Sequence, residues 1–191
     1  MGKSDVWANG DLYEPYVGRW SRLVAKEFLA WVDAPQGSRW LDVGCGTGAL
    51  SQTILQTCNP KSVKGIDRSE GFAGYAGNKI NDPRATFGVG DAQAIPVKDG
   101  EYDVAVSGLV LNFVPQPEKM ISEMRRAVVH SGCVALYVWD YAGTVQFMSH
   151  FWDAASTLDP ASNELDEGRR FPICNPNALS ELFQKAGLNH V

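Results

Sequence analysis

Three glycines at alternate positions, Gly44, Gly46 and Gly48, separate a short apolar stretch from a helical pattern, and this order constrains the fold more than any other feature of the chain. Arg39 to Val43 reads as a strand, Gly44-Cys45-Gly46-Thr47-Gly48 as a tight turn, and Ala49-Leu50-Ser51-Gln52-Thr53-Ile54-Leu55 as the opening of a helix. Glycine removes the Cβ atom where a ligand must lie against backbone. A helix start behind the turn offers N–H groups and a positive dipole end. A turn so placed receives a charged or strongly polar ligand at the carboxyl edge of a parallel sheet.

Asp42, two residues before the first glycine, narrows the ligand. A carboxylate near the end of a buried strand is costly unless it is satisfied. It would repel an anionic pyrophosphate and attract an ammonium group. Two other readings stay open here. Gly44-Cys45-Gly46-Thr47-Gly48-Ala49 also fits G-x-G-x-x-A, a tolerated dinucleotide fingerprint that would suit an NAD(P)-dependent oxidoreductase. Asp42 could also only brace the turn.

The remaining chain alternates strands and helices. Leu12 to Val32 reads as a helix with Trp20, Leu23, Val24, Phe28 and Val32 near one face, and Ala34-Pro35-Gln36-Gly37-Ser38 closes it. Val63 to Asp67 is a second strand ending in a carboxylate about twenty residues past the glycines, where an acidic residue accepts two ribose hydroxyls. Asp67 could instead cap a helix over Ser69 to Ile80. Arg84 to Val89 is a third strand, followed by Gly90-Asp91-Ala92, and Asp103 to Ser107 is a fourth. On its own Asp91 reads as the start of a turn before Gln93-Ala94-Ile95-Pro96. Glu118 to Val129 reads as a helix with Met120, Ile121, Met124 and Val128 inward, Ser131-Gly132 as its stop, and Cys133 to Trp139 as a fifth strand. Asn175-Pro176-Asn177 caps a last helix, Ala178 to Ala186, ended by Gly187. This alternation predicts an α/β fold: a Rossmann-like, doubly wound, mostly parallel sheet with helices on both faces.

Length and charge set bounds. The chain has 191 residues, enough for one well-buried domain and short for two. The predicted organisation is a single domain over 1–191: an N-terminal helical cover (1–38), a binding core (39–141), an insertion over the site (142–172) and a last helix (173–191). Phe147, Phe151, Trp152 and Leu158 predict a short amphipathic helix in the insertion, followed by a polar loop over Asp159 to Arg170. A net charge of −5 argues against a general nucleic-acid binder. Cys45, Cys58, Cys133 and Cys174 are widely spaced and read as buried thiols, with no metal-site spacing. No signal peptide or membrane-length apolar run is seen, so the expectation is a cytoplasmic protein without a membrane span.

Leu41 to Gly48, Asp67 and Gly90-Asp91-Ala92 together resemble the motifs of the class I S-adenosylmethionine-dependent methyltransferases, in particular the small-molecule enzymes similar to those that methylate ubiquinone and menaquinone precursors. Gly-Leu-Val-Leu-Asn-Phe-Val-Pro at 108–115 is similar to a segment of this group, which often carries His where Asn112 stands; no catalytic histidine is carried over. Tyr-x-x-Tyr-x-Gly-Arg-Trp at 13–20 resembles the segment that closes over the ligand. The resemblance implies S-adenosylmethionine as cofactor, S-adenosylhomocysteine as product, and methyl transfer to O, N or C of a small-molecule acceptor. It implies cofactor contacts from Tyr16, Arg19, Asp42, Gly44, Cys45, Gly46, Gly48, Asp67, Arg68, Asp91, Ala92 and Leu109, with Arg19 meeting the methionine carboxylate. No catalytic base is named; Asn112, Tyr141 and His150 are candidates to orient an acceptor. A cofactor-binding module without turnover is a further alternative. Members of the family continue into two more strands, so about five strands are expected here, with strands six and seven missing and an open sheet edge through which a homodimer would form.

Overall fold

The computed structural model describes residues 19–191. Five strands form one parallel sheet: β1 (Arg39–Val43), β2 (Ser62–Asp67), β3 (Ala85–Val89), β4 (Tyr102–Gly108) and β5 (Val128–Tyr137), in the order β3-β2-β1-β4-β5. The order reverses between β1 and β4, so the carboxyl ends of the central strands flank a crevice, where ligands of open α/β sheets bind. The helices are α1 (Arg19–Val32), α2 (Ala49–Thr57), α3 (Glu70–Lys79), α4 (Pro117–Ala127), α5 (Gln146–Leu158), α6 (Glu167–Arg170) and α7 (Pro176–Lys185). None of the described helices is long and apolar enough to cross a membrane.

Both faces of the sheet are buried. Leu41, Val43 and Ala105 pack with Met120, Ile121 and Met124 of α4 and Leu182 of α7. On the opposite face Trp40, Val104, Val106 and Ala135 pack with Ala25, Phe28 and Leu29 of α1 and Leu50 and Ile54 of α2. This is the doubly wound arrangement expected from the alternation. At the amino end of the sheet, Arg39 clamps Asp103 with two guanidinium hydrogen bonds, 2.7 and 3.0 Å, and its backbone N–H adds a third at 2.8 Å.

Two elements differ from the sequence reading. The inward stripe of α1 runs through Ser21, Ala25, Phe28 and Leu29, while Leu23 is exposed. Leu23 lies two residues from Ser21, on the other side of a helix with 3.6 residues per turn. The helix predicted to Val129 ends at Ala127, and β5 begins at once with Val128 instead of at Cys133. Val128 pairs with Tyr102, but the next pair is Val104 with Cys133, so residues between them bulge from the strand. Gly132 is the close-approach residue of this bulge, since a Cβ there would lie 2.9 Å from the Asp103 carbonyl oxygen. The glycine read as a helix stop therefore belongs to an irregular strand.

The segment 142–172 forms the expected helix α5, but the following stretch is a 3-10 turn (Pro160–Glu164) and α6 rather than a plain loop. Trp152 ties the two parts together by donating Nε1–H to Glu167 Oε2 at 2.6 Å. Phe147 and Leu158 remain largely exposed, at 76% and 88%. The segment meets the body through Phe171, whose ring lies 5.4 Å from Phe113 and 5.8 Å from Tyr141.

Candidate functional site

The glycine turn sits at the carboxyl end of β1 and is stitched to β2. The N–H groups of Gly44 and Cys45 both donate to the Ile66 carbonyl, at 2.8 and 2.9 Å, and Gly46 N–H donates to Asp67 Oδ2 at 2.9 Å. The backbone donors at these three positions are thus committed within the protein. What they provide is a fixed turn. Gly44, Gly46 and Gly48 all have positive φ, at 75°, 52° and 84°. Only at Gly46 is the space beside the missing side chain open. A Cβ at Gly44 would lie 2.5 Å from Val110, and one at Gly48 would lie 2.6 Å from Ile80 of the α3 C-terminus. Gly48 thus has a packing reason of its own, the seating of α2 against α3.

Asp42 is the most telling residue. It is 1% exposed; its Oδ2 accepts the Ser51 hydroxyl at 2.6 Å, and its Oδ1 has no hydrogen-bond partner among the described residues. Burial pushes its carboxyl up to about 7, against the hydrogen bonding from Ser51, and the nearby Asp67 charge adds to the rise. A buried acceptor without a partner is expensive. Asp42 lines a cavity of about 50 Å³ with Ser21, Gly44, Cys45, Gly46, Thr47, Ala49, Leu50, Gly108 and Tyr137. A compact cationic donor fits the chemistry of that lining; a phosphate does not. The Cys45 thiol in the same wall is also pushed up by burial, with the Asp42 and Asp67 charges adding to the effect, so it is held neutral.

Asp67 closes β2 at 9% exposure. Its Oδ1 accepts the Ser69 N–H at 2.8 Å while Oδ2 holds Gly46. Ser69, not Asp67, is the N-cap of α3, accepting from Phe72 N–H. Each oxygen of the Asp67 carboxylate retains a second acceptor site, enough for two hydroxyls. Asp91, beyond β3, is exposed and accepts from the Gln93 backbone and side chain, which holds its carboxyl below the ordinary range. The Arg68 charge also acts on it. Ala92 is half-buried against the core.

After β4, Leu109 takes a left-handed φ of 61° and donates its N–H to the Tyr137 carbonyl at 2.8 Å. Non-glycine residues in this region mark strain, which gathers at functional sites. Asn112 follows in a 3-10 turn, with its Nδ2 buried and lacking a hydrogen-bond partner among the described residues. Tyr141 stacks near Phe171, and His150 is exposed on α5. Tyr16 lies outside the described residues, as does the side chain of Arg19. A larger hollow, about 480 Å³, opens at the amino ends of β2 and β4 among Lys61, Lys64, Arg84 and Glu101. It contains none of the carboxyl-edge anchors.

Sequence reasoning missed the brace beneath Asp91. Arg126 donates to the carbonyls of Ile95 and Val97 and to Glu123 and Asp99, while Glu123 accepts the Ile95 N–H. Only the basic residues in the last turn of α4 hinted at it. Tyr137 was also missed, because nothing in its own strand marks it apart from core.

A sequence model described as a methyltransferase domain matches residues 41–136, half of the chain, and its span covers the strands, turn and carboxylates just described. The chain belongs to the methyltransferase family. S-adenosylmethionine is the cofactor of this family, and the lone Asp42 oxygen and open Gly46 fit its ammonium-bearing end. Among curated relatives, the chain is 29% identical over 132 residues to trans-aconitate 2-methyltransferase of Variovorax paradoxus, covering 69% of this chain and 50% of that protein. It is 28% identical over 180 residues to demethylmenaquinone methyltransferase of Desulfitobacterium hafniense, covering 85% and 70%. Several of the curated relatives it matches are about twice as long as the part it spans. A solved S-adenosylmethionine-dependent methyltransferase from Aquifex aeolicus shares the fold, with a TM-score of 0.62 at 20% identity over 72% of this chain and 74% of that one.

Proposed function

We propose that this methyltransferase-family chain binds S-adenosylmethionine across the carboxyl ends of β1, β2 and β3 and directs its methyl group to O, N or C of a small-molecule acceptor held beneath residues 142–172. The observation that carries the reading is the buried Oδ1 of Asp42, without a hydrogen-bond partner among the described residues, in a cavity beside the glycine turn. An ammonium group supplies what that oxygen lacks. The same carboxylate opposes a pyrophosphate, which removes the case for a dinucleotide.

The other anchors follow in strand order. Asp67 holds the ribose hydroxyls while bracing Gly46. Asp91 and the Ala92 N–H take the adenine edge, and Leu109 and Phe113 wall the side toward β4. When bound, S-adenosylmethionine supplies an electrophilic methyl on a sulfonium sulfur, so the protein need not activate it. What remains for the chain is to align an acceptor, keep water out and leave room for the displaced thioether. Phe113, Tyr141 and Phe171 form an aromatic junction where the insertion meets the strand ends, and Asn112 Nδ2 offers a buried donor there for orienting an acceptor. The relatives' names cover unlike acceptors, a tricarboxylic acid and a quinone among them, and choose none for this chain.

Calorimetry tests the reading. S-adenosylhomocysteine should bind and NAD should not. Tight NAD binding with no heat from S-adenosylhomocysteine would overturn it. A turnover screen across carboxylate, phenol, amine and quinol acceptors, read by mass spectrometry, then identifies the methylated atom.

A further inference from the structure

Tyr137 ends β5, two strands away from Asp42, and none of the motifs around the glycine turn points to it. The strand register brings the two together. Asp42 pairs with Val106 of β4, and Val106 with Ala135 of β5; two residues further on, Gly108 pairs with Tyr137. Paired residues, and residues two apart along a strand, share a face of the sheet. Asp42, Gly108 and Tyr137 therefore all point toward α1 and α2. Gly108 places no side chain between them. A Cβ on Gly108 would lie 2.5 Å from the Tyr137 hydroxyl oxygen and 2.6 Å from its Cζ. The phenol is thus laid across Gly108, its hydroxyl directed from β5 toward β1. The Phe28 ring, 4.9 Å away at 59°, holds the tyrosine ring from the helix side. Ser21 of α1, buried on the same face, completes the wall.

The lining of the cavity of about 50 Å³ therefore sets the Asp42 carboxylate beside hydroxyl-bearing side chains, those of Ser21 and Tyr137 among them. The amino-acid end of S-adenosylmethionine is a zwitterion. Its ammonium requires an acceptor, and its carboxylate requires donors, the more so beside an aspartate. We propose that Tyr137 is a cofactor-binding residue whose hydroxyl, with that of Ser21, hydrogen-bonds the carboxylate of the bound cofactor while Asp42 takes the ammonium. This rests on the reading given under Proposed function and extends it to residues outside the family's glycine motif.

Tyr137→Phe keeps the ring, its contact with Phe28 and its place over Gly108, and deletes only the hydroxyl. Calorimetry with two ligands isolates the effect. S-adenosylhomocysteine carries the amino-acid end; 5′-methylthioadenosine has the same nucleoside thioether without it. The variant should lose roughly ten- to hundredfold affinity for the first and none for the second. Ser21→Ala should show the same discrimination and serves as a second arm should Tyr137→Phe melt early. Equal losses for both ligands would make the phenol a shaping element only and overturn the assignment. An unchanged affinity for S-adenosylhomocysteine would overturn it too. Failure of the wild-type chain to bind S-adenosylhomocysteine at all would instead remove the functional reading and this assignment with it.

Discussion

Asp42→Asn should make the ligand-free protein more stable and bind its cofactor worse. The carboxyl is 1% exposed, has one oxygen without a partner among the described residues, and is raised from an ordinary 3.8 to about 7 by burial. The sign follows from proton linkage. Below 3.8 the group is protonated in both folded and unfolded chains and has no effect. Between 3.8 and 7 the unfolded chain ionises while the folded one resists, so stability falls as pH rises; above 7 the loss is complete. A rise from 3.8 to about 7 corresponds to about 4 kcal/mol at pH 8, and to about 2 kcal/mol at pH 5. Asparagine removes the ionisation and can still accept the Ser51 hydroxyl. The advantage of the variant over wild type should therefore widen by about 2–3 kcal/mol from pH 5 to pH 8, roughly 5–10 °C in Tm for a chain of this size. Binding moves the other way. Removing one partner of a buried charge pair should weaken S-adenosylhomocysteine by at least about a hundredfold. In the wild type, affinity should fall about tenfold per pH unit below 7 as Asp42 takes up its proton. Thermal melts of both proteins without ligand, at pH 5 to 8, with calorimetry alongside, measure all of this. A variant that melts no higher than wild type at pH 8, with a gap that does not widen, would refute the reasoning.

Asp67→Ala should cost both affinity and stability, because Asp67 holds Gly46 and Ser69 N–H groups; calorimetry should show roughly ten- to hundredfold weaker S-adenosylhomocysteine, and melts a lower Tm. Gly46→Val meets no neighbour within 4 Å but forces a branched residue to a φ of 52°; it should fold with a loss of about 1–2 kcal/mol and fail to bind. Among the described residues β5 is paired only on its β4 side, and sedimentation equilibrium should detect concentration-dependent dimers through that edge. A single monomeric mass at high concentration would set the dimer aside.

Much of this was legible in sequence because several signals coincided. Arg39 to Leu55 carries a strand, a turn and a helix whose periods and glycines agree, and the structure places them there. Burial of Met120, Ile121 and Met124 followed from spacing alone. The misses have physical causes. Ser131-Gly132 looks the same whether it ends a helix or forms a bulge, and the pairing of Val128 with Tyr102, a partner 26 positions upstream, decides. The Gly48 requirement depends on Ile80, and the placing of Tyr137 on a gap at Gly108; neither contact is visible along the chain. The exposed side of Phe147 and Leu158 was equally hidden, since amphipathic spacing does not say whether the apolar face finds a partner.

The contact between Gly44 and Val110 bears on how such a site can diverge. Val110 occupies the room that a side chain at position 44 would need, and the φ of 75° at Gly44 already disfavours one. A lineage therefore cannot trade between the two positions: trimming Val110 would still leave a backbone that wants glycine. Variation is channelled outward along the loop, to Leu109, Asn112 and Phe113, which are not plugged into the turn. With the acceptor held on the β4 side, as proposed above, new acceptor preferences would accumulate there while the turn is handed down unchanged, so descendants of one donor site would come to differ in what they modify.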